Sequence, residues 1–263
     1  IGLVADVHSI SQRLASVLRG RLVQLDESRG IVRIVVQDRG NVKFVDLNTI
    51  HDNIEQDLER RDFTLDAMAL RLGNTVSGQL HRDIIDPHCG LLDLKNGVIR
   101  ALSPDVFEVD PVRLMRAPRL SAQLGFKING STADLIRAHA FRITTVSPER
   151  IRDELLQLLA VPNATVALRC LDDLELLCHV IPELAQAKNV TQPKEHHWDV
   201  FNHMLETAGQ VESVISGSAS YSSFATDIVP KFQDMNEYFS EEVSDGHTRL
   251  TLIKLTGLIH DIA

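Results

Sequence analysis

The chain has 263 residues, 44% of them hydrophobic, and a formal net charge of −9, which is enough to bury one large core or two to three small ones. No run of eighteen apolar residues occurs, and no basic segment precedes the short apolar start "IGLVADVHSI"; this argues against a membrane span and a signal peptide and makes a cytoplasmic location the expectation. Cys89, Cys170 and Cys178 are too few and too irregularly spaced for a disulfide framework or a cysteine zinc site, and are expected to be reduced, mostly packed thiols.

Taken in chain order, "ISQRLASVLRG" carries helical spacing at Ile10, Leu14, Val17 and Leu18 and predicts a helix that stops at Gly20. Three short β-branched runs follow, "RLVQLD", "GIVRIVVQ" and "NVKFVDLN", separated by the turn signals "ESRG" and "DRG", which predicts a small, partly antiparallel sheet. Residues 59–70, "ERRDFTLDAMAL", set two arginines and an aspartate directly against an apolar run with helical character. From Asp105 onward the patterning is almost wholly helical, with stop signals at "GFKINGS", "TTVSPER", "AVPNAT" and "VIPEL". The stretch 216–224, "SGSASYSSF", reads as a loop or mobile linker. The plan is α+β with segregated elements: a mixed head of about 100 residues and an all-helical remainder.

The acidic balance argues against a nucleic-acid protein, yet the charge is uneven. Between Arg100 and Arg152 nine cations (Arg100, Arg113, Arg116, Arg119, Lys127, Arg137, Arg142, Arg150, Arg152) face five acids (Asp105, Glu108, Asp110, Asp134, Glu149), leaving this stretch at +4 and the remainder at −13. Within it, "FEVDPVRLMRAPRLSAQLGF" repeats Asp110, Arg113, Arg116 and Arg119 every third residue. On a helix such a series forms a slanting ridge, able to wrap one side of a polyanion. An Asp and an Arg three apart offer acceptors and a fork of donors that can read the polar edge of a base, while further arginines engage phosphates. A solvated helix face behind an Asp-Pro cap accounts for the same residues. Pro118 is expected to kink the helix and displace the upper end of the ridge.

The segments "RRDFTLDAMA" (60–69), "DIIDPHCGLLDLKNGVIR" (83–100), "DPVRLMRAPRLSAQLGF" (110–126) and "SPERIRDEL" (147–155) resemble, in this order, the motifs of the class II tRNA nucleotidyltransferase and poly(A) polymerase family, usually written RRDFTxNAxA, DPxxGxxDLxxxxIR, DPxRxLRAxRFxxxLGF and SxERIxxEL. The resemblance covers roughly residues 1–160. It implies a nucleotidyltransferase head over 1–104, N-terminally incomplete, a helical nucleotide- and RNA-binding neck over 105–160 and a helical body over 161–263. The implied activity is addition of CCA, or of A, to tRNA 3′ ends from CTP and ATP, with poly(A) polymerase as a sibling reading. Arg61 and Asp62 then lie on the nucleotide and ribose side, at a helix entrance whose donors favour an anion. Asp110 and Arg113 act as the protein template for the incoming base, and Arg116 and Arg119 hold the triphosphate.

The resemblance also implies two Mg²⁺ ions on a DxD carboxylate pair. Here the sequence departs from the family: its start resembles the end of the DxDLV strand, with Gly2 where the second aspartate is expected, and the glycine-rich loop and first aspartate are absent. Two readings stay open, a missing N-terminal segment and a non-catalytic RNA-binding relative. Asp46 in "VDLN" is a candidate supporting catalytic carboxylate or a plain strand-end acid. Asp66 replaces the family's Asn. Finally, "HHWDVFNH" (196–203) and "LIHDIA" (258–263) resemble the HD metal-dependent phosphohydrolase pattern, with His203, His260 and Asp261 as candidate ligands for a second divalent metal, and the sequence stops before the fourth ligand. A purely structural helical body is the alternative.

Overall fold

The computed structural model describes residues 1–4, 6–27, 30–38, 41–50, 53–71, 84–191, 198–216 and 232–262. They form two compact units, Ile1–Gly90 and Leu91–Ala263, and the fold class is α+β, with a small mixed sheet in the first unit and a predominantly helical second unit. No described helix is long and apolar enough to cross a membrane.

In the first unit β1 (Gly2–Leu3), β2 (Arg21–Asp26), β3 (Ile31–Asp38) and β4 (Asn41–Thr49) lie in the order β1-β4-β3-β2. β1 runs parallel to β4 and the other pairs are antiparallel, so the three predicted runs and the opening strand share one sheet. Alternation sets its faces. Val32, Ile34 and Leu47 are buried, with Val45 packed against them, whereas Phe44 and Asp46 point the other way and Phe44 is exposed. Each fully buried aliphatic side chain of this kind contributes about 1.5–3 kcal/mol.

The inner face is covered by α1 (Val7–Leu18), whose N-cap Asp6 accepts hydrogen bonds from the amides of His8 and Ser9. Because the helix starts there, its buried stripe is Val7, Ser11 and Ala15, with Leu14 packed beside them. Val17, predicted on that stripe, is exposed. The helix does end where predicted, but by a different device. Arg19 adopts the left-handed conformation at the C-cap, and Gly20 is needed because a Cβ there would lie 2.6 Å from Ile34 Cγ2.

The run 59–70 differs from its prediction. A short α2 (Ile54–Glu59) ends before the double arginine, Thr64–Asp66 form one 3₁₀ turn, and Ala69–Leu70 form β5, antiparallel to β6 (Ile84–Ile85). The carboxylate of Asp66 accepts the Phe63 amide, 3.0 Å away, and closes the turn instead of letting a helix propagate. An acceptor is what that amide requires, so aspartate serves where the family has Asn. The motif's DPxxG segment packs on this turn. Gly90 donates to Asp86, and a Cβ at Gly90 would stand 2.1 Å from the Thr64 carbonyl oxygen, so no larger residue fits without moving the backbone.

The second unit begins with α3 (Gly90–Asn96) and continues through β7 (Val98–Ile99), α4 (Val106–Val109), α5 (Arg113–Leu124), β8 (Lys127–Ile128), α6 (Gly130–His139), a 3₁₀ segment (Ala140–Thr145), α7 (Pro148–Leu159), α8 (Ala164–Asp173), α9 (Leu177–Val180), α10 (Leu184–Ala187), α11 (Val200–Ser216), α12 (Met235–Ser240), β9 (Glu242–Ser244), β10 (His247–Thr248) and α13 (Arg249–Ile259). The predicted stops fall at helix ends, with Gly125 left-handed after α5 and Pro148 in the first turn of α7. Two short pairings went unpredicted, β7 beside β8 in parallel and the β9–β10 hairpin. Of the stretch 216–224, residues from 217 onward lie outside the described residues, as do His196 and His197. Cys89 is exposed, Cys170 and Cys178 are half-buried, and all three are free. Burial pushes the Cys170 thiol up to about 11, which keeps it protonated and unreactive.

Packing in the second unit turns on a lysine. Lys254, on α13, is 1% exposed; its ammonium donates to the carbonyls of Leu159 and Val161, just past the end of α7, and pairs with Glu212 of α11 at 2.9 Å. The Leu159 carbonyl is one of the orphan acceptors of the α7 C-terminus, so one cation closes α7 and fixes two further helices to it. Lys254→Met keeps the length and removes the charge. It is expected to lower unfolding stability by about 3 kcal/mol, read as a shift of the urea midpoint without change of slope.

Candidate functional site

The arginine series is built at the junction of α4 and α5. Asp110 stands ahead of the helix in extended conformation as the C-cap of α4, and Arg113 opens α5, so the first member of the ridge is a turn residue and the other three are helical. α5 continues through Pro118, which is buried beside Ala117. The arginines on either side of it reach the same acid. Arg116 Nε donates to Glu154 Oε1 at 3.1 Å and Arg119 Nε to Glu154 Oε2 at 2.5 Å, while Arg119 also donates to Gln123. The proline therefore does not part Arg119 from Arg116.

Glu154, on α7, is 7% exposed. A carboxylate this buried is stable only when paired, and two guanidinium groups pair it. Four residues earlier on α7, Arg150 donates to Asp110 at 2.8 Å, so α7 holds both ends of the series. Burial pushes the Asp110 carboxyl up, but the hydrogen bond and charge of Arg150, with the charge of Arg113 behind it, outweigh this and leave it below the usual carboxylate range. Asp110 is thus an ionised acceptor, fixed beside the guanidinium of Arg113, whose Nε is buried.

At least seven of the nine cations in this stretch form ion pairs. Besides those on Glu154 and Asp110, Arg100 grips Asp93 bidentately at 2.9 and 3.0 Å, Arg137 pairs with Asp134, Arg142 with Glu108 and Arg152 with Asp153. The +4 excess read from the sequence is therefore largely bound up within the unit. The Arg100–Asp93 grip gives a physical reason for the family's DL and IR positions.

In the first unit Arg61 follows the C-terminal end of α2 and pairs with Asp57 at 2.6 Å, and Asp62 beside it is buried. A helix C-terminus favours cations. The arginines thus stand at a helix exit, not at the entrance expected from the sequence. Asp46, on β4, faces Arg33, its direct neighbour on β3. Arg33 Nε and Nη2 donate to its two carboxylate oxygens at 2.6 and 2.8 Å, and this pairing holds the Asp46 carboxyl below the usual carboxylate range. A Cβ on Gly2 would meet Ile50 Cδ1 at 2.5 Å. Gly2 and Asp46 do not fit a two-carboxylate metal site.

The structure brings His203 of α11 together with His260 and Asp261, which follow α13. One ligand atom from each lies within 4.8 Å of the others, with His203 Nε2 3.7 Å and His260 Nε2 3.2 Å from Asp261 Oδ2. The Gly257 carbonyl, 2.9 Å from His260 Nδ1, can only accept, so Nδ1 carries the proton and Nε2 is the free ligand atom.

Sequence reasoning did not single out Glu154, Arg150 or Lys254. The signal for the first two was present: an arginine and a glutamate four apart on α7 share one helix face. The lysine was marked by its place in the apolar run "TLIKLTGLI".

The Asp110–Arg150 pair has a pH signature. A carboxyl lowered in the folded state contributes stability that is fully present above its unfolded value, about 3.9, and is lost as pH falls through the lower folded value. The destabilisation caused by Arg150→Ala is therefore expected to be pH-independent near neutrality and to vanish in that acid window. Thermal melts of both proteins along a pH series check this.

Residues 20–100 match the family model described as the poly A polymerase head domain, and residues 125–188 match that described as a probable RNA and SrmB-binding site of polymerase A. The chain is 37% identical over 206 residues to an A-adding tRNA nucleotidyltransferase of Deinococcus radiodurans, spanning 76% of this chain and 45% of that protein. It is 39% identical over 156 residues to a CC-adding tRNA nucleotidyltransferase of Geobacter sulfurreducens, spanning 59% of this chain and 34% of the relative. The chain thus spans less than half the length of these relatives. Among solved structures, the Thermotoga maritima CCA-adding enzyme complexed with tRNA superposes with a TM-score of 0.63 over 90% of this chain and 58% of its own, at 22% identity. With the four ordered motifs, the two matched regions and the shared fold all in agreement, the chain belongs to the class II tRNA nucleotidyltransferase and poly(A) polymerase family.

Proposed function

We propose that the protein is a tRNA nucleotidyltransferase that extends tRNA 3′ ends from CTP or ATP without a nucleic-acid template. The observation that carries this reading is the double anchoring of the α5 series by α7: Arg150 fixes Asp110, and Glu154 fixes Arg116 and Arg119. An ionised acceptor beside a guanidinium matches the amino group and ring nitrogen on the pairing edge of cytosine or adenine. Held rigidly, these groups read a base without the entropy cost of ordering free side chains. Arg116 and Arg119, and Arg61 in the first unit, are assigned to the triphosphate, and Asp62 to the ribose side.

In the transfer, the tRNA 3′-hydroxyl oxygen bonds to the α-phosphorus. The bond from that phosphorus to the bridging β-oxygen breaks, pyrophosphate leaves with the electron pair, and the hydroxyl proton is released. Mg²⁺ is the cofactor that goes with this chemistry, but Gly2 and Asp46 do not fit it, and no step is assigned through it. A head over 1–104, a neck over 105–160, a body over 161–263 and a cytoplasmic location accompany the reading. Relatives named for A addition and for CC addition support the class of reaction and leave the nucleotide open.

The test is extension of a tRNA lacking its CCA end, with Mg²⁺ and labelled CTP or ATP, separately and together, resolved to single nucleotides. Ordered growth by C, C and A, by C only, or by A only on a tRNA already ending in CC defines the specificity. Long A tracts would make the protein a poly(A) polymerase. No growth with tRNA retained would replace this reading with that of a non-catalytic RNA-binding relative. Arg113→Ala is expected to relax the choice between CTP and ATP by about tenfold or more, with tRNA affinity changed much less.

The convergence of His203, His260 and Asp261 supports a second reading, a divalent-metal site of the HD phosphohydrolase type. Calorimetry with Mn²⁺ or Ni²⁺ is expected to detect one site, weakened at least about tenfold by His260→Ala. Uptake unchanged by that substitution would leave these residues a structural role.

A further inference from the structure

The face of the sheet opposite α1 holds an arginine bound in place. Arg33 and Asp46 are direct cross-strand neighbours, and both oxygens of the carboxylate are engaged by two nitrogens of one guanidinium. Cζ of that guanidinium lies over the ring of Phe44, 4.9 Å from the ring centroid, so the cation is held by both the carboxylate and the ring. Gly2 pairs with Asn48 in parallel register. Asn48 alternates with Leu47 and so lies on the same face as Asp46. Position 2 therefore faces Asp46 without a carboxylate, and the space a side chain would take is closed by Ile50.

We infer that Arg33 is the resident counter-ion of Asp46 and competes with divalent metal for this carboxylate. A hard cation such as Mg²⁺ or Mn²⁺ needs an oxygen in its inner coordination sphere, and the two-point grip occupies one lone pair on each oxygen of Asp46 and already neutralises the carboxylate's charge. The pair is partly solvated, with side chains 35% and 48% exposed, so the competition is reversible and modest in size. Which face is at issue follows from the family reading, but the test below reads metal binding alone. A failure to extend tRNA is thereby told apart from a failure of this inference.

The experiment titrates Mn²⁺ into the full chain carrying His203→Ala and His260→Ala, which removes the other candidate site, and follows free Mn²⁺ by electron paramagnetic resonance. Arg33→Met in this background is expected to bind Mn²⁺ about fivefold more tightly, the scale of an exposed two-point ion pair, and Asp46→Asn added to it is expected to cancel the gain. Arg33→Lys keeps the charge without the two-point grip. It is the milder change to the sheet, and is expected to fall between the parent and Arg33→Met. Equal Mn²⁺ affinity in the parent and in either folded Arg33 variant would overturn the inference, as would a gain that survives Asp46→Asn.

Discussion

One buried carboxylate organises the helical unit. Glu154 sits on α7 at 7% exposure with two guanidinium groups on its two oxygens, and the cost of desolvating it is offset only while both remain. That requirement fixes Arg116 and Arg119 relative to α7 and, through the helix they share, fixes Arg113 as well. Arg150, one turn earlier on α7, fixes Asp110 in the same way. The rigidity of the Asp110–Arg113 pair is thus a consequence of electrostatics in a poorly solvated seam, not of helix propensity. It also explains why a proline in the middle of α5 is tolerated: the helix is held from outside at points on either side of it.

A similar logic operates at the far end of α7. The carbonyl of its last residue, Leu159, accepts from an ammonium on α13, and the same ammonium meets the Val161 carbonyl and Glu212 on α11. α7 is therefore clamped by ionic contacts at both ends, with an apolar seam of Leu155, Leu156, Leu158 and Leu159 between them. An acidic protein with a locally basic stretch can be built this way without presenting a large positive field, since most of the cations serve the fold. Long-range attraction of a polyanion is correspondingly weaker than the count of arginines suggests.

The two places where the protein could meet metal differ in kind. His203 on α11 and the adjacent His260 and Asp261 just past α13 bring one ligand atom each within 4.8 Å of the others, as coordination requires. Asp46 instead has a guanidinium bonded to both oxygens, and the neighbouring strand presents a glycine. The contrast lies in partner chemistry: one cluster gathers two imidazoles and a carboxylate, while the other carboxylate already has a guanidinium on it.

Much was legible in the sequence because it depends on local rules. The strands at 21–26, 31–38 and 41–49 follow from period-two patterning, the helix stops from Gly and Pro, and the family from four motifs in fixed order. The lone Asp66 turn and the exit of α2 at the double arginine were misread, since "RRDFTLDAMA" has a helix-like composition and only the Asp66 side chain bonding back to Phe63 decides against a helix. The sequence by itself thus determined the fold class and the family, because spacing and residue type carry that information along the chain. Only the tertiary structure decided which charge answers which. That Glu154 answers Arg116 and Arg119, Arg150 answers Asp110, Arg33 answers Asp46 and Lys254 answers the end of α7 depends on pairings across 13 to 95 positions, and a Coulomb or hydrogen-bond partner at such separation is selected by packing, to which no local pattern corresponds.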